Sequence, residues 1–196
     1  MANRNTQGFG LIPQGTIGST PATGGQGKYL IDAGMGVDLF QGTAVRSAAG
    51  YIVTAQAAIT NTCIGVLNGI FYNDATTKKP TFANFYNQPI TPANSEDITA
   101  FVIDNPNQLF VASIDTAAAQ AEYGKTYGLT VTAAGSDLSG QSSSELTYAT
   151  RHATNNQWRL VRTAEDPENN DIAAANCSVV VAHNLNQYFT GAVTWQ

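Results

Sequence analysis

Short runs rich in Val, Ile, Tyr, Phe and Thr alternate along most of the chain with Gly, Asn, Asp and Pro. Runs of this kind, bounded by turn residues, indicate β-strands. Many short strands at this spacing favour a closed barrel or a packing of sheets. We therefore predict a mainly β fold, a β-barrel or a β-tulip or sandwich domain. The predicted strands are 28–32, 43–46, 51–55, 63–72, 98–104, 108–114, 126–132, 144–149, 157–163 and 177–183.

Two connections have distinct signals. The stretch "IDTAAAQAEYG" predicts one short helix of about two turns, with Asp115 or Thr116 as N-cap and Gly124 just after its end. The stretch "IDNPNQ" predicts a turn, because Asn105 precedes Pro106 and is therefore disfavoured in the helical region. We expect this turn to join two strands as a hairpin.

Residues 1–27 differ from the rest of the chain, since they hold seven glycines and a single charged residue. Such a segment cannot bury enough apolar surface by itself to offset the entropy of ordering. We predict an extended Gly-rich N-terminal arm over residues 1–27 and a β-rich domain over residues 28–196. The arm is either without fixed structure or ordered on a partner, in which case Phe9, Leu11 and Ile12 are its anchors.

The segment 65–89, "GVLNGIFYNDATTKKPTFANFYNQP", concentrates aromatic side chains around a Lys-Lys pair. Three interpretations stay open: a small core under a long loop, a stacking platform for sugars or bases, and a protein interface. The interface hypothesis places aromatic rings under a neighbour and lysines at the rim. Its candidate residues in this segment are Tyr72, Lys78, Lys79, Phe82, Phe85 and Tyr86.

The charge pattern argues against several partners. Charged residues make up 12% of the chain, about half of the roughly 25% that is typical, and the net charge is −5. The Lys and Arg residues are scattered, whereas nucleic-acid binding requires clustered cations. The first residues lack a signal-peptide pattern, and no apolar window is long enough to span a membrane. We therefore expect no nucleic-acid partner, no membrane partner and a cytoplasmic start. Two cysteines do not make a disulfide framework, so we expect free buried thiols at Cys63 and Cys177.

Motifs for catalysis are not apparent. The stretch "GGQGK" fails the phosphate-loop pattern, because Ala22 occupies the first glycine position and Tyr29 follows the lysine. His152 is expected to be exposed and His183 to be a structural residue at a strand end. The acidic stretch "EDPENND" lacks the order of a calcium loop and favours an exposed turn. We predict no enzyme activity and no catalytic, cofactor-binding or metal-binding residues.

The order of these stretches resembles a known family. The stretches "GQGKYLI", "GVLNGIFYNDATTKKPTFANFY", "AFVIDNPNQLFVASID", "SDLSGQSSSEL" and "WRLVRTAEDPENN" look like those of capsid decoration (cement, head-stabilising) proteins of tailed bacteriophages. The resemblance covers most of the chain from Lys28 to His183. It implies a β-barrel or β-tulip fold, a homotrimer, and no chemistry or cofactor.

In such a family the protein binds the outside of the capsid and stabilises the expanded head by non-covalent clamping of major capsid subunits. Its location would be the capsid surface of the virion, after assembly in the host cytoplasm. In this hypothesis residues 1–27 lie across a neighbouring capsid or decoration subunit, and residues 65–89 provide a second contact. The alternative function is a receptor- or glycan-binding β module of a phage tail or head fibre.

Overall fold

Twelve strands in two sheets make up the described part of the chain. The structure, a computed structural model, describes residues 2–18, 25–55, 62–130 and 135–188. The mainly β prediction is confirmed, and each predicted strand has a counterpart, although residues 131 and 132 of one of them lie outside the described residues. The strands are β1 (Ile12–Thr16), β2 (Gly27–Ile31), β3 (Ala44–Ala48), β4 (Tyr51–Thr54), β5 (Gly65–Asn73), β6 (Pro80–Ala83), β7 (Ile98–Ile103), β8 (Gln108–Ile114), β9 (Thr126–Leu129), β10 (Leu146–His152), β11 (Trp158–Thr163) and β12 (Cys177–His183).

The first sheet closes into a five-stranded barrel in the order β8, β10, β9, β11, β12 and back to β8. Its inward side chains form one apolar core, in which Phe110 and Trp158 meet edge to face with ring centroids 5.4 Å apart. Tyr127 is also fully buried there. Its hydroxyl donates a hydrogen bond of 3.0 Å to the carboxylate of Glu122, so the polar end of this ring is satisfied.

The barrel has a short seam, which β1 fills. Strand β8 pairs along one side with β12, but on its other side it pairs with β10 only at Ile114, opposite Leu146. The rest of that side, residues 108–111, pairs with β1 in antiparallel register. Leu11, the residue before β1, is 1% exposed and belongs to the barrel core. The N-terminal strand is therefore part of the barrel wall.

Two glycines let the chain reach this seam. The amide of Gly10 donates to the carbonyl of Ser144 (2.9 Å), and a Cβ on Gly8 would collide with the backbone of Ser143 and Ser144. Gly10 also has a φ of +77°, which side-chain-bearing residues rarely adopt. Gly8 and Gly10 thus allow close packing of the backbone against residues 142–145.

Two asparagines near the N-terminus bind the turn that precedes β12. The side-chain amide of Asn3 donates to the carbonyls of Asp171 (3.0 Å) and Ala175 (2.9 Å). The backbone amide of Asn5 donates to the side chain of Asn169 (2.7 Å). These bonds link residues more than 160 positions apart in sequence, so they hold the N-terminus onto the far end of the chain.

The prediction of a separate arm over residues 1–27 is wrong for the described part of that segment. Residues 2–18 pack on the chain's own barrel, with Leu11 in its core, and residues 19–24 lie outside the described residues. The entropy argument treated the segment alone, whereas the free side of β8 supplies hydrogen-bonding partners and an apolar contact. Leu11 is therefore not a free anchor for a neighbouring subunit.

The second sheet has the order β2, β7, β5, β3, β4, and β6 pairs with the outer half of β5. Edge strands β2 and β4 also contact each other, so the sheet curls around a core of its own. That core includes Ile31, Leu39, Val45, Ile52, Ile64, Leu67, Ile70, Tyr86 and Ile98. The curl leaves the opposite face of the sheet turned outward.

Two local predictions need correction. The turn at residues 104–107 forms, with the amide of Gln108 donating to the carbonyl of Asn105 (3.0 Å), but its flanking strands β7 and β8 belong to different sheets. It is a crossover and not a hairpin. The predicted two-turn helix is a single 3-10 turn at Gln120–Glu122, because a short Ala-rich segment without an apolar stripe gains little from packing as a helix.

The helical structure of the described residues amounts to two such single turns, and neither approaches the length of a membrane-spanning helix.

Truncation of Leu11 tests whether β1 belongs to the barrel. We expect Leu11→Ala to lower the free energy of unfolding by roughly 2–5 kcal/mol, because it leaves a cavity in a packed core. Ile12→Ala is the matched control, since Ile12 is 43% exposed on the same segment, and its cost should be about 0.5 kcal/mol. Denaturant titration of both variants measures this, and equal small losses would contradict the placement of Leu11.

Candidate binding surface

Three phenylalanine rings lie together on the outward face of the second sheet. Phe71 on β5 lies directly opposite Phe82 on β6, and their ring centroids are 4.7 Å apart. The ring of Phe82 also stacks near that of Phe101 on β7, at 6.3 Å. Phe82 is 73% exposed, which is unusual for a phenylalanine. We call Phe71, Phe82 and Phe101 the aromatic face.

Strand alternation places these rings outward. On β7, Ala100 and Val102 are fully buried while Phe101 between them is half-buried. Phe101 pairs with Gly69 on β5, which has no side chain, so the rings of Phe101 and Phe82 meet across that strand. The sequence pattern of each strand therefore fixes both the core face and the aromatic face.

A fourth apolar side chain continues the surface toward β2. Leu30 is 43% exposed and pairs with Thr99, which in turn pairs with Phe71. Residues directly opposite in a sheet share a face, so one row runs across β2, β7, β5 and β6. Exposed apolar clusters of this kind mark interaction sites more often than single exposed residues do.

Lysines lie at the border of this surface. Lys28 on β2 pairs in register with a residue of the aromatic face, and Lys78 and Lys79 lie in the turn that leads into β6. That turn is held by Asp74, whose carboxylate accepts the backbone amide of Thr77 at 2.7 Å. Hydrogen bonds from Thr77 hold the pKa of the Asp74 carboxyl below its ordinary value. The exposed lysines thus sit on an ordered turn.

Other aromatic residues of the segment 65–89 fill the interior. Tyr86 is 0% exposed, and its hydroxyl donates to the carbonyl of Met35 at 2.8 Å. Tyr72 packs against the same core, and Phe85 stacks on the buried ring of Phe40 with centroids 5.5 Å apart. The assignment of Tyr86 to an exposed interface or sugar platform is therefore wrong. Of the predicted interface aromatics in this segment, Phe82 is the one in the exposed cluster.

The remaining predicted anchors lie elsewhere. Phe9 is half-buried and Ile12 is exposed beside the barrel seam, on the first sheet. Sequence reasoning did not single out Phe101 or Leu30. The available signal was the alternation in "ITAFVI", which puts a phenylalanine on the side of the strand that also carries Thr99.

Both cysteines are buried free thiols, and one of them contacts a histidine. Cys63 Sγ lies 3.5 Å from Nδ1 of His183, whose ring packs against Trp158 with centroids 4.3 Å apart. Burial raises the pKa of the Cys63 thiol to about 12, so it stays protonated at neutral pH. A buried thiol of this kind is a poor nucleophile, because the reactive species is the thiolate.

The other histidine, His152, bonds to the backbone of a turn. His152 Nδ1 accepts the backbone amides of Thr154 and Asn155, both at 3.2 Å, in the turn after β10. Across residues 2–18, 25–55, 62–130 and 135–188, no group of three or more His, Cys, Asp or Glu side chains is arranged to hold a metal ion.

Comparisons with protein-family models, curated proteins and solved structures found no significant match to this chain. The aromatic face brings three phenylalanine rings together on one outward surface, and its central ring is left largely in water.

Protonation of His183 should weaken the fold at acidic pH. Burial lowers the pKa of His183 from 6.5 to about 4, so between these values the unfolded chain binds the proton more readily than the folded one. The stability contributed by neutral His183 is therefore present above pH 6.5 and lost as the pH falls toward 4.

Denaturant titration between pH 6.5 and 4 should show the wild type losing more stability than His183→Gln, by on the order of 1 kcal/mol for each pH unit. Identical slopes for wild type and His183→Gln would contradict the burial of an uncharged imidazole.

Proposed function

We propose that this chain is a structural protein that docks non-covalently on other protein subunits through the aromatic face. The partner of this proposal is the major capsid protein of a tailed bacteriophage, and the role is decoration and stabilisation of the expanded head. The observation that carries the proposal is the 73% exposure of Phe82 between two further phenylalanine rings. The family resemblance of the sequence supplies the identity of the partner.

The physical contribution of this surface is burial of apolar area. Covering a phenylalanine side chain contributes about 1.5–3 kcal/mol, and interface cores are enriched in aromatic residues and depleted in lysine. The arrangement of the aromatic face, with Lys28, Lys78 and Lys79 at its border, fits an apolar centre with a charged rim. Each contact with the capsid can be weak. Copies that also contact each other, as in a homotrimer, bind the shell with a higher overall affinity than one copy alone.

The clamp in this proposal differs from the one that the sequence implied. Residues 2–18 are engaged in the barrel of their own chain, so in this conformation they are not available to lie across a capsid subunit. The contact therefore rests on the second sheet. The role of the N-terminal segment in this proposal is to hold the barrel that supports that sheet.

Replacement of Phe82 tests the proposal. Phe82→Ser should weaken binding to expanded, undecorated heads of the encoding phage at least about tenfold, the equivalent of about 1.4 kcal/mol. Its stability should change by about 1 kcal/mol or less, since the ring is largely exposed. Co-sedimentation of purified protein with heads measures the affinity, and denaturant titration measures stability.

Val161→Ser is the control, because Val161 is 39% exposed on β11 of the first sheet and its replacement should leave head binding unchanged. Normal head occupancy by Phe82→Ser would overturn the proposal. Loss of a glycan-array signal in Phe82→Ser, together with unchanged head binding, would instead favour the receptor- or glycan-binding alternative.

A further inference from the structure

A cleft lined by carboxamide side chains lies between β1 and the second sheet. It consists of two adjoining cavities of about 200 and about 250 Å³, which share Pro13, Asn68 and Ile103 in their walls. Together they fall within the roughly 300–1,000 Å³ that is typical of small-molecule sites. The described residues that line them include the carboxamides Gln14, Gln26, Gln41, Asn68, Gln108 and Gln141. We call this the amide cleft.

Two β-bulges bring carboxamides into this cleft. On β5 the register with β7 shifts around Asn68, which has no partner residue on that strand. On β1 the register with β8 shifts around Gln14 in the same way. A bulge leaves one residue outside the ladder and re-aims its side chain. Asn68 lines both cavities and Gln14 lines the second, so the same irregularity supplies a carboxamide from each of the two strands.

The carboxamides hold each other in place and keep hydrogen-bonding atoms for a ligand. Nε2 of Gln41 donates to Oδ1 of Asn68 (3.1 Å), and Nε2 of Gln141 donates to the carbonyl of Phe9 (3.3 Å). These two bonds use neither Nδ2 of Asn68, a donor, nor the Oε1 atoms of the two glutamines, which are acceptors. Neighbouring donors and acceptors match the hydroxyl groups of a sugar, because each hydroxyl donates one hydrogen bond and accepts two.

The described residues that line the amide cleft carry no charge. A carboxylate or phosphate ligand would lose hydration there without gaining a cation, and an ammonium ligand would gain no carboxylate. The rest of the wall is largely apolar and includes Ile12, Pro13 and Ile103. Apolar walls with a few neutral polar groups suit a ligand that has both C–H surfaces and hydroxyls. A neutral pyranose ring has this combination.

The second cavity is open beside Gly15. A Cβ built on Gly15 or on Gly25 would meet no atom within 4 Å. The side chains of Gln14 and Gln26, in the same wall, are exposed. A small ligand therefore has access to the carboxamides without a change in the backbone.

We propose that the amide cleft binds a neutral sugar in its pyranose form. Asn68 is the central contact, since it lines both cavities. The inference goes beyond the docking proposed above and is independent of the aromatic face and of any capsid partner.

Titration of the full-length chain with simple glycosides tests the inference. Methyl α-glucoside, methyl α-mannoside and methyl α-galactoside are added separately, and nitrogen–proton correlation NMR follows the side-chain amides. We expect saturable shifts of the Asn68, Gln41 and Gln141 signals with at least one glycoside, at millimolar affinity because the ligand is small. The uronate of the same sugar should bind at least about fivefold more weakly, because its carboxylate finds no cation.

Two variants and two controls locate the site. Asn68→Leu should weaken binding at least about tenfold, because it removes a hydrogen-bonding group from both cavities. Gly15→Leu should also weaken binding, because its side chain enters the open space of the second cavity while every carboxamide stays. Gln120→Leu is the matched control, an exposed carboxamide at the 3-10 turn outside the cleft. Gln120→Leu and Phe82→Ser should both keep the wild-type affinity.

The proposal is overturned if none of the three glycosides gives a saturable shift of the cleft amides in the wild type. It is also overturned if Asn68→Leu and Gly15→Leu, with otherwise native spectra, bind as tightly as the wild type. Equal affinity for the glycoside and its uronate would contradict a neutral ligand. Binding that persists in Asn68→Leu and disappears in Phe82→Ser would assign the sugar to the aromatic face and would likewise overturn the proposal.

Discussion

The pairing of β1 with β8 is the interaction on which the rest of the structure depends. Without it, β8 would meet β10 only at Ile114, and the barrel core around Phe110 would be open along residues 108–111. The same segment also reaches the second sheet, since the amide of Leu11 donates to the carbonyl of Gly42 at 2.9 Å. The N-terminal segment thus covers the side of β8 that β10 leaves unpaired and bonds to the turn before β3, which gives the glycines before β1 a structural purpose.

The two sheets divide the roles between them. The barrel buries its aromatic rings, including Trp158 and Tyr127, and holds the N-terminus. The second sheet buries Tyr86 yet leaves Phe82 in water, although both come from one segment of sequence. Phe82 contacts Phe71 and Phe101, yet most of its ring stays in water, so these contacts use little of its apolar surface. The docking proposed above would account for this exposure.

Local sequence signals predicted the strands well and the long-range arrangement poorly. Alternation and turn residues located ten of the twelve strands but missed β1 and β6, and the turn at Asn105 formed as its side chain and the following proline indicate. Which sheet each strand joins depends on pairings such as β8 with β12, which no local pattern encodes. The same limit applies to Leu11, whose burial depends on an acceptor strand about 100 residues away. Phe82 could be singled out from the sequence. Its contact with Phe101 could not be predicted, because it depends on the pairing of Phe101 with Gly69.

Native-state hydrogen exchange tests the central claim that β1 is an integral part of the barrel. The amides of Gly10 and Leu11 are each bonded to a backbone carbonyl at 2.9 Å. The account predicts that both exchange as slowly as core amides of β8 and β12, through global unfolding. Exchange of these two amides near the rate of an unstructured peptide, while the amides of β8 and β12 stay protected, would show that the segment is a loose arm and would contradict the account.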